Sequence, residues 1–434
     1  MSEQPLLPDY VLAVILSLGM AVRGFDSTAG QAMSCIANAA MLVWLLHRAA
    51  LDMDFWRRAS PVLALIFTAM GWGLLASLQF DGSLPDYVPG KLLSLLSGLA
   101  ALLCGAIIGH RSHRLKGILD WLLLINCLIL LGGLVVRQIG TDGMLSYWTI
   151  EREDRFTGLI GNANVTAAMA GCFAIIAFAR LTDLRGAPVW AGDWRPGHII
   201  NLPMFVISFG VVMLTAARLT AVLLGIILTL FALHWLLRRT IFVYTRLTAI
   251  IAGITIATLI LAFAGILFER FGVLGTAYQN RVMNWSHLAG VVSESPTYGY
   301  GLGAFSTINA HSLSTPRYAQ ANWTLNSAHN IILQLMLQGG WPYLVAICGA
   351  AALIVKQTIS ALRNHWSRDE AIIAAILCLI MGNAMIDVVL DMPAPVTIFL
   401  FLSGLLWGRA LQGPKVDVAL SRRHPMHDIG TIGG

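Results

Sequence analysis

Long apolar stretches alternate with short polar segments along most of this chain. A helix needs about 20 mostly apolar residues to cross a bilayer, because lipid satisfies no open backbone hydrogen bonds. The pattern predicts twelve spans. They cover residues 10–22, 29–46, 60–79, 91–109, 118–137, 160–181, 199–216, 219–237, 246–267, 328–355, 369–387 and 394–411. The first span is short, and the pair around Arg218 could instead form a re-entrant hairpin. Gly339, Gly340 and Pro342 predict a break or kink in 328–355.

The composition supports this interpretation. Of 434 residues, 57% are hydrophobic and 12% are charged, whereas a soluble domain averages about 45–50% apolar and about 25% charged residues. These values exclude an ordinary soluble enzyme, a disordered chain and a coiled coil. We therefore predict an all-α, polytopic integral membrane protein. The start of the chain lacks the basic segment of a signal peptide, so we expect no cleavage.

The basic residues predict which side each loop faces. Nineteen of the 28 lysines and arginines fall in alternate gaps and at the C-terminal end, the bias that marks the cytoplasmic side. Both termini should therefore be cytoplasmic. The other nine lie on the opposite side; they are Arg23, Lys91, Arg137, Arg152, Arg155, Arg218, Arg270, Arg281 and Arg317.

One outward loop is long enough to form a subdomain. Residues 268–327 are rich in aromatic side chains and poor in charge, so the composition does not predict disorder. Within it, 280–292 has helical periodicity, and a turn-rich run follows at 295–303. We expect four regions: helices 1–9 in 1–267, the loop subdomain 268–327, helices 10–12 in 328–411, and a flexible tail 412–434.

Three outward arginines are candidates for binding an anion. Arg218 lies inside an apolar run, Arg281 opens the amphipathic segment, and Arg155 precedes the polar pair Asn162 and Asn164. A charge at membrane depth is functional or paired by default, and the guanidinium fork suits phosphate oxygens. The alternative for each is a structural ion pair or a headgroup contact.

A histidine at the outer start of a span is the candidate general base. His329, followed by Asn330, comes directly after the long loop, and imidazole titrates near neutral pH. The alternative is a hydrogen-bonded interfacial histidine. Asp387 and Asp391 lie near another outer end; they could bind a cation, but we expect a solvated or capping role. The six cysteines fall inside predicted spans and form no metal motif, so no metal site is expected.

Three motifs occur in order between about residues 155 and 345. They are an arginine at a span junction (Arg218), an arginine and tryptophan before a P-x-x-G-x-G-x-G-x-F run (Arg281 to Phe305), and HN-x-x-L-Q before two glycines (His329 to Gly340). Gly161-Asn162-Ala163-Asn164 adds an asparagine motif. In this order they resemble the O-antigen ligase/polymerase family of bacterial membrane glycosyltransferases. Ala217 and Gln338 depart from the family, which often has Ser and Glu there.

The resemblance implies an enzyme of the bacterial inner membrane with a periplasmic active site. It would transfer O-antigen from undecaprenyl pyrophosphate to a sugar hydroxyl of lipid A–core, with inversion, without a metal, cofactor or nucleotide. His329 would be the base, and the substrate-binding residues would be Arg218, Arg281, Arg155, Asn330, Asn162, Asn164 and Tyr300. The partners would be the donor, the acceptor and membrane lipids, with no nucleic acid.

Three alternatives remain open. O-antigen polymerisation and protein O-glycosylation share the donor and the histidine chemistry, so only the product separates them from ligation. A transporter of lipid-linked glycans is the alternative of a different class. It is less favoured because the informative residues gather at one face and no internal repeat is visible.

Overall fold

The computed structural model describes residues 8–49, 51–78, 87–111, 115–139, 155–182, 196–237, 274–313, 325, 327–362 and 366–412. Every regular element in these ranges is a helix. The α-helices are α1 (Asp9–Ala21), α2 (Thr28–Ala49), α3 (Met53–Ser77), α4 (Tyr87–Arg111), α5 (Leu115–Ile139), α6 (Ala163–Leu181), α7 (Pro196–Leu214), α8 (Arg218–Leu237), α9 (Leu274–Glu294), α10 (Phe305–Ser312), α11 (Ile331–Leu362), α12 (Arg368–Ala384) and α13 (Pro393–Leu411). A short 3₁₀ turn, Arg23–Phe25, follows α1.

The predicted all-helical membrane architecture is confirmed. Seven of the described helices are long and apolar enough to cross a bilayer, and α1 and the apolar parts of α7 and α8 are shorter. Each predicted span overlaps a described helix except 246–267, which lies outside the described residues, as does the tail beyond residue 412. The chain is a multi-pass membrane protein, while the four predicted regions and the sidedness stay predictions.

Small residues let the helices approach closely. On α4, a side chain at Gly105 or Gly109 would meet the backbone of α13, and Gly404 and Gly408 of α13 face α4 in the same way. Such paired small residues are a common basis of helix association in lipid, where apolar burial gives little driving force. Helix α6 is buried along nearly its whole length, because α5, α7, α8 and α12 pack around it.

The predicted break in α11 is confirmed at its two glycines. Gly340 has φ +66°, and a Cβ there would lie 2.3 Å from the carbonyl oxygen of Thr297. Backbone groups around the break are satisfied by the long loop: the Tyr300 N–H donates to the Leu337 carbonyl at 2.7 Å, and the Trp341 N–H donates to Pro296 at 2.9 Å. The glycine-rich run after α9 therefore fits into the break.

Charged groups at the far end of the bundle are also paired. Arg180 of α6 is 5% exposed and contacts Asp120 at 2.5 Å and Asp369 at 2.6 Å. Glu370, in the first turn of α12, is buried and accepts from Arg409 at 3.0 Å. These contacts join α5, α6, α12 and α13 at the end opposite the site described below.

Candidate active site

The centre of the candidate site is a buried carboxylate in the turn that follows α12. Asp387 is 8% exposed, and its Oδ1 accepts a hydrogen bond from the Val388 N–H at 2.9 Å. Burying a carboxylate is costly unless other groups compensate its charge. Three side chains from three other segments supply that compensation: Asn164, Arg281 and His329.

His329 reaches this carboxylate from the segment before α11. Its Nδ1 lies 3.3 Å from Asp387 Oδ1, and 23% of the side chain is exposed. The backbone of His329 has φ +51°, in the left-handed region that few residues other than glycine adopt. Non-glycine residues in this region are strained and cluster at functional sites. The strained backbone directs the imidazole towards Asp387.

Asn330 fixes the position of this histidine. Its Oδ1 accepts from the N–H groups of Ile332 at 2.9 Å and Leu333 at 3.1 Å, which caps the start of α11. Its Nδ2 donates to the Met385 carbonyl at 3.1 Å. The Asn330 side chain thus joins the start of α11, next to His329, to the turn that carries Asp387.

Arg281 comes from α9 in the long loop. It donates to the Ile386 carbonyl, and its Nη2 lies 3.2 Å from Asp387 Oδ2. A third of the Arg281 side chain is exposed, so part of it remains accessible. The loop therefore contributes a cation directly to the candidate site.

The asparagine motif contributes through the start of α6. Asn162 is the N-cap, and its side chain accepts from the N–H groups of Asn164 and Val165. Asn164 Nδ2 donates to Asp387 Oδ2 at 2.5 Å, and Asn164 Oδ1 accepts from Arg155 at 2.7 Å. Arg155 is thus joined to Asp387 through one amide.

Arg218 is the first residue of α8, after a tight turn in which Ala216 has φ +51°. The Thr215 carbonyl in this turn accepts from Arg155 Nε at 2.8 Å. Two residues after Arg218, Thr220 donates to Asn383 of α12 at 2.7 Å. These contacts place the start of α8 next to the segments that hold Asp387.

Tyr300 lies farther along the loop and connects its parts. Its hydroxyl donates to the Val291 carbonyl at 2.8 Å. Burial raises the pKa of this hydroxyl, and the nearby Glu294 raises it further. Because its N–H also contacts α11, Tyr300 holds α9 against α11.

The charges around Asp387 determine its ionisation. Burial by itself would raise the pKa of this carboxyl, but His329, Arg281 and the Val388 N–H together lower it below the usual value. Asp387 is therefore ionised at neutral pH. An ionised carboxylate attracts N–H donors and cations. A carboxylate beside one ring nitrogen of a histidine is the arrangement that orients catalytic histidines.

A small, open recess lies beside the carboxylate. Its lining residues are Ser327, Asn330, Ile331, Gln334, Asp387, Val388, Leu390 and Asp391. Asp391 is paired with Lys91 of α4 at 2.5 Å. No group of three His, Cys, Asp or Glu side chains among the described residues is close enough to hold a metal ion.

The structure brings together most of the residues expected from the sequence. His329, Arg281 and Asn164 contact Asp387, while Arg155, Asn162 and Asn330 support those contacts. The sequence interpretation gave Asp387 a solvated or capping role and did not place it in the site. The solvated role is wrong, because Asp387 is buried and accepts hydrogen bonds on both oxygens. An acid in the apolar run 384–390 was the available signal, by the same reasoning that selected Arg218.

Comparison with known proteins gives two similarities. Residues 203–348, which include Arg218, Arg281 and His329, match the family model Wzy_C, described as O-antigen ligase. The resemblance to the O-antigen ligase family is confirmed. The chain is also 28% identical over 133 residues to a general O-oligosaccharyltransferase of Acinetobacter baylyi. That match covers 31% of this chain and 22% of the relative, so only about a fifth of the relative's length is matched. Both similarities support a ligase-type activity of the glycosyltransferase class.

Proposed function

We propose that this chain is an O-antigen ligase. It transfers O-antigen polysaccharide from undecaprenyl pyrophosphate to a sugar hydroxyl of lipid A–core, at the periplasmic face of the bacterial inner membrane. The observation that carries the proposal is the convergence of His329 and Arg281 on the buried carboxylate of Asp387. This arrangement combines a base with a cation, and the family match spans both residues.

His329 acts as the general base. The acceptor hydroxyl gives its proton to Nε2 of the imidazole while its oxygen attacks the anomeric carbon of the donor. The bond between that carbon and the pyrophosphate oxygen breaks, and its electron pair leaves with the pyrophosphate. Asp387 faces Nδ1, so it orients the ring and stabilises the imidazolium that forms.

The arginines stabilise the leaving group. Pyrophosphate gains negative charge as the glycosidic bond breaks, and guanidinium groups held in place offset that charge without reorganisation. Arg281 and Arg218 contact the pyrophosphate directly. Arg155 and Asn164 contribute from the start of α6, where they already contact each other and Asp387.

The remaining predicted residues support these groups. Asn162 caps α6, the helix that carries Asn164. Asn330 caps α11, the helix that begins directly after His329 and Asn330. Tyr300 keeps the loop helix with Arg281 against α11. We propose that they line the substrate sites while holding these positions. The donor is already activated, so the reaction uses no nucleotide, cofactor or metal.

The displacement takes place in one step and inverts the anomeric configuration. A retaining mechanism would need a carboxylate free to attack the sugar. Asp387 is bonded to Asn164, Arg281 and the Val388 N–H and is 8% exposed, so it is poorly placed for that role. An inverted product is therefore expected.

The test is transfer by the purified protein in detergent, with the lipid-linked donor and lipid A–core. His329→Ala and Arg218→Ala should abolish or severely reduce transfer at unchanged expression and melting temperature. His47→Ala is the matched control, because His47 is an exposed histidine at the end of α2. Transfer that survives both site substitutions would refute the assignment, and loss of transfer in EDTA would refute metal independence.

Protein O-glycosylation is the second candidate, because the curated relative is a general O-oligosaccharyltransferase. The same assay separates the two when it is run with different acceptors. Ligation gives glycosylated lipid A–core, whereas the alternative gives a glycosylated protein. A longer lipid-linked glycan without either acceptor would indicate polymerisation.

A further inference from the structure

One face of α9 continues from the candidate site into the protein interior. Arg281, Asn284, Leu288 and Val291 follow one another at intervals of three and four residues, so they share a face of the helix. Arg281 reaches Asp387 at one end of this face. Leu288 and Val291 are buried in an apolar cluster with α11 at the other end.

Asn284 is the buried polar residue on this face. It is 5% exposed, yet its Oδ1 is buried and has no hydrogen-bond partner within the part of the chain that the structure describes. Buried polar groups in folded proteins almost always have partners, so such a group requires an explanation. A position that served packing alone would be better filled by leucine, because an unmade hydrogen bond is costly.

We propose that Asn284 accepts a hydrogen bond from a hydroxyl of the donor's first sugar, the one attached to the pyrophosphate. The inference rests on the proposed function, in which Arg281 holds the pyrophosphate. Three residues of helix advance about 4.5 Å along the axis. That distance is comparable to the separation between a glycosyl phosphate and the hydroxyls of its sugar ring.

The donor itself uncovers Asn284. Arg281 is held by Asp387 and by the Ile386 carbonyl. A pyrophosphate on the exposed part of this guanidinium replaces its contact with the Ile386 carbonyl, while the contact with Asp387 keeps the guanidinium in place. The backbone of α9 around Asn284 then shifts enough to uncover the amide. The other end stays attached, because the Tyr300 hydroxyl donates to the Val291 carbonyl. The amide is therefore satisfied by the substrate and not by the protein.

The test measures binding of two lipids to full-length Asn284→Leu in detergent. The probes are undecaprenyl pyrophosphate and the same lipid carrying its glycan, purified from the producing cell. We expect about tenfold weaker binding of the glycosylated lipid, the loss of one hydrogen bond to a buried acceptor. Binding of the bare pyrophosphate should be unchanged, and the melting temperature should be equal or higher.

Two further variants complete the design. Arg281→Ala should weaken binding of both lipids. Thr358→Val is the matched control, because Thr358 is another buried polar side chain whose oxygen has no partner in the described residues, near the far end of α11. It should leave the binding of both lipids unchanged. Asn284→Ala replaces Asn284→Leu if the leucine variant does not give monodisperse protein.

Several outcomes would overturn the inference. Unchanged affinity for the glycosylated lipid would do so, and so would an equal loss for both lipids. A lower melting temperature with unchanged binding would show that Asn284 serves the fold through a bound water. Failure of the proposed function would give a different result, because transfer would then survive His329→Ala. That result does not depend on how tightly either lipid binds.

Discussion

Replacing Asp387 by asparagine removes one negative charge from the centre of the site with little change in shape. The carboxylate lies 3.3 Å from His329 Nδ1 and is shielded from solvent. At an effective dielectric constant of about 20, two unit charges at this distance attract by about 5 kcal/mol. The asparagine dipole recovers part of this energy for the imidazolium, so we expect about 3 kcal/mol of lost transition-state stabilisation.

This loss corresponds to a fall in kcat of about 100-fold, since about 1.4 kcal/mol is a factor of ten. The apparent affinity for the donor should not fall, because Arg281 is released from its ion pair with Asp387. The assay is transfer to lipid A–core by purified Asp387→Asn, with donor and acceptor varied separately so that kcat and KM are resolved.

Asp391→Asn is the matched control. Asp391 lies four residues later and forms an ion pair with Lys91, and within the described residues this pair is separate from the contacts of Asp387 with His329 and Arg281. This variant should transfer within about threefold of the wild type, since partly exposed ion pairs contribute little. Wild-type kcat in Asp387→Asn, or an equal loss in Asp391→Asn, would refute the role given to Asp387.

Three other predictions concern stability. Gly340→Ala should lower the free energy of unfolding by about 2 kcal/mol or more, because the new Cβ would lie 2.3 Å from the Thr297 carbonyl oxygen. Thermal unfolding measures this loss. Gly290→Ala is the neutral control, because a Cβ at Gly290 would have no neighbour within 4 Å. Asn162→Ala should cost about 1 kcal/mol through loss of the α6 cap, and Asn162→Asp should restore it. Asp387 has a lowered pKa, so its stabilisation is present above about pH 4 and is lost as the pH falls through that pKa; a melting temperature that stays constant from pH 6 to pH 3, or falls as steeply in Asp387→Asn, would contradict this.

The helices could be predicted because one physical requirement dominates them. A segment in lipid must satisfy its own backbone, so apolar length alone predicts a helix. The break in α11 was predictable for the same kind of reason, because Gly339, Gly340 and Pro342 disfavour a continuous helix. The sequence could not show that the run 295–303 would satisfy the broken backbone, since that contact depends on the tertiary fold.

The charged residues of the site were predictable one by one, but their pairing was not. Arg218, Arg281 and His329 stood out because each is costly or reactive at a membrane boundary. Asp387 is more than 50 residues from His329 along the chain, so nothing local joins them. Its role became clear only from the tertiary structure, in which it is buried and three side chains from separate segments lie within 3.3 Å of its carboxylate.

Buried charge and preorganisation are linked in this protein. An isolated carboxylate at 8% exposure would be destabilising, so Asp387 can be buried only while Asn164, Arg281 and His329 remain in place. The same requirement holds the strained backbone of His329 and the guanidinium of Arg281 in position before any substrate arrives. Charge that develops during transfer then meets groups that are already oriented, and electrostatic catalysis of this kind needs little reorganisation in the reaction step. The fold cannot lose the carboxylate without releasing both the base and the cation, so stability and activity should fall together when Asp387 is removed.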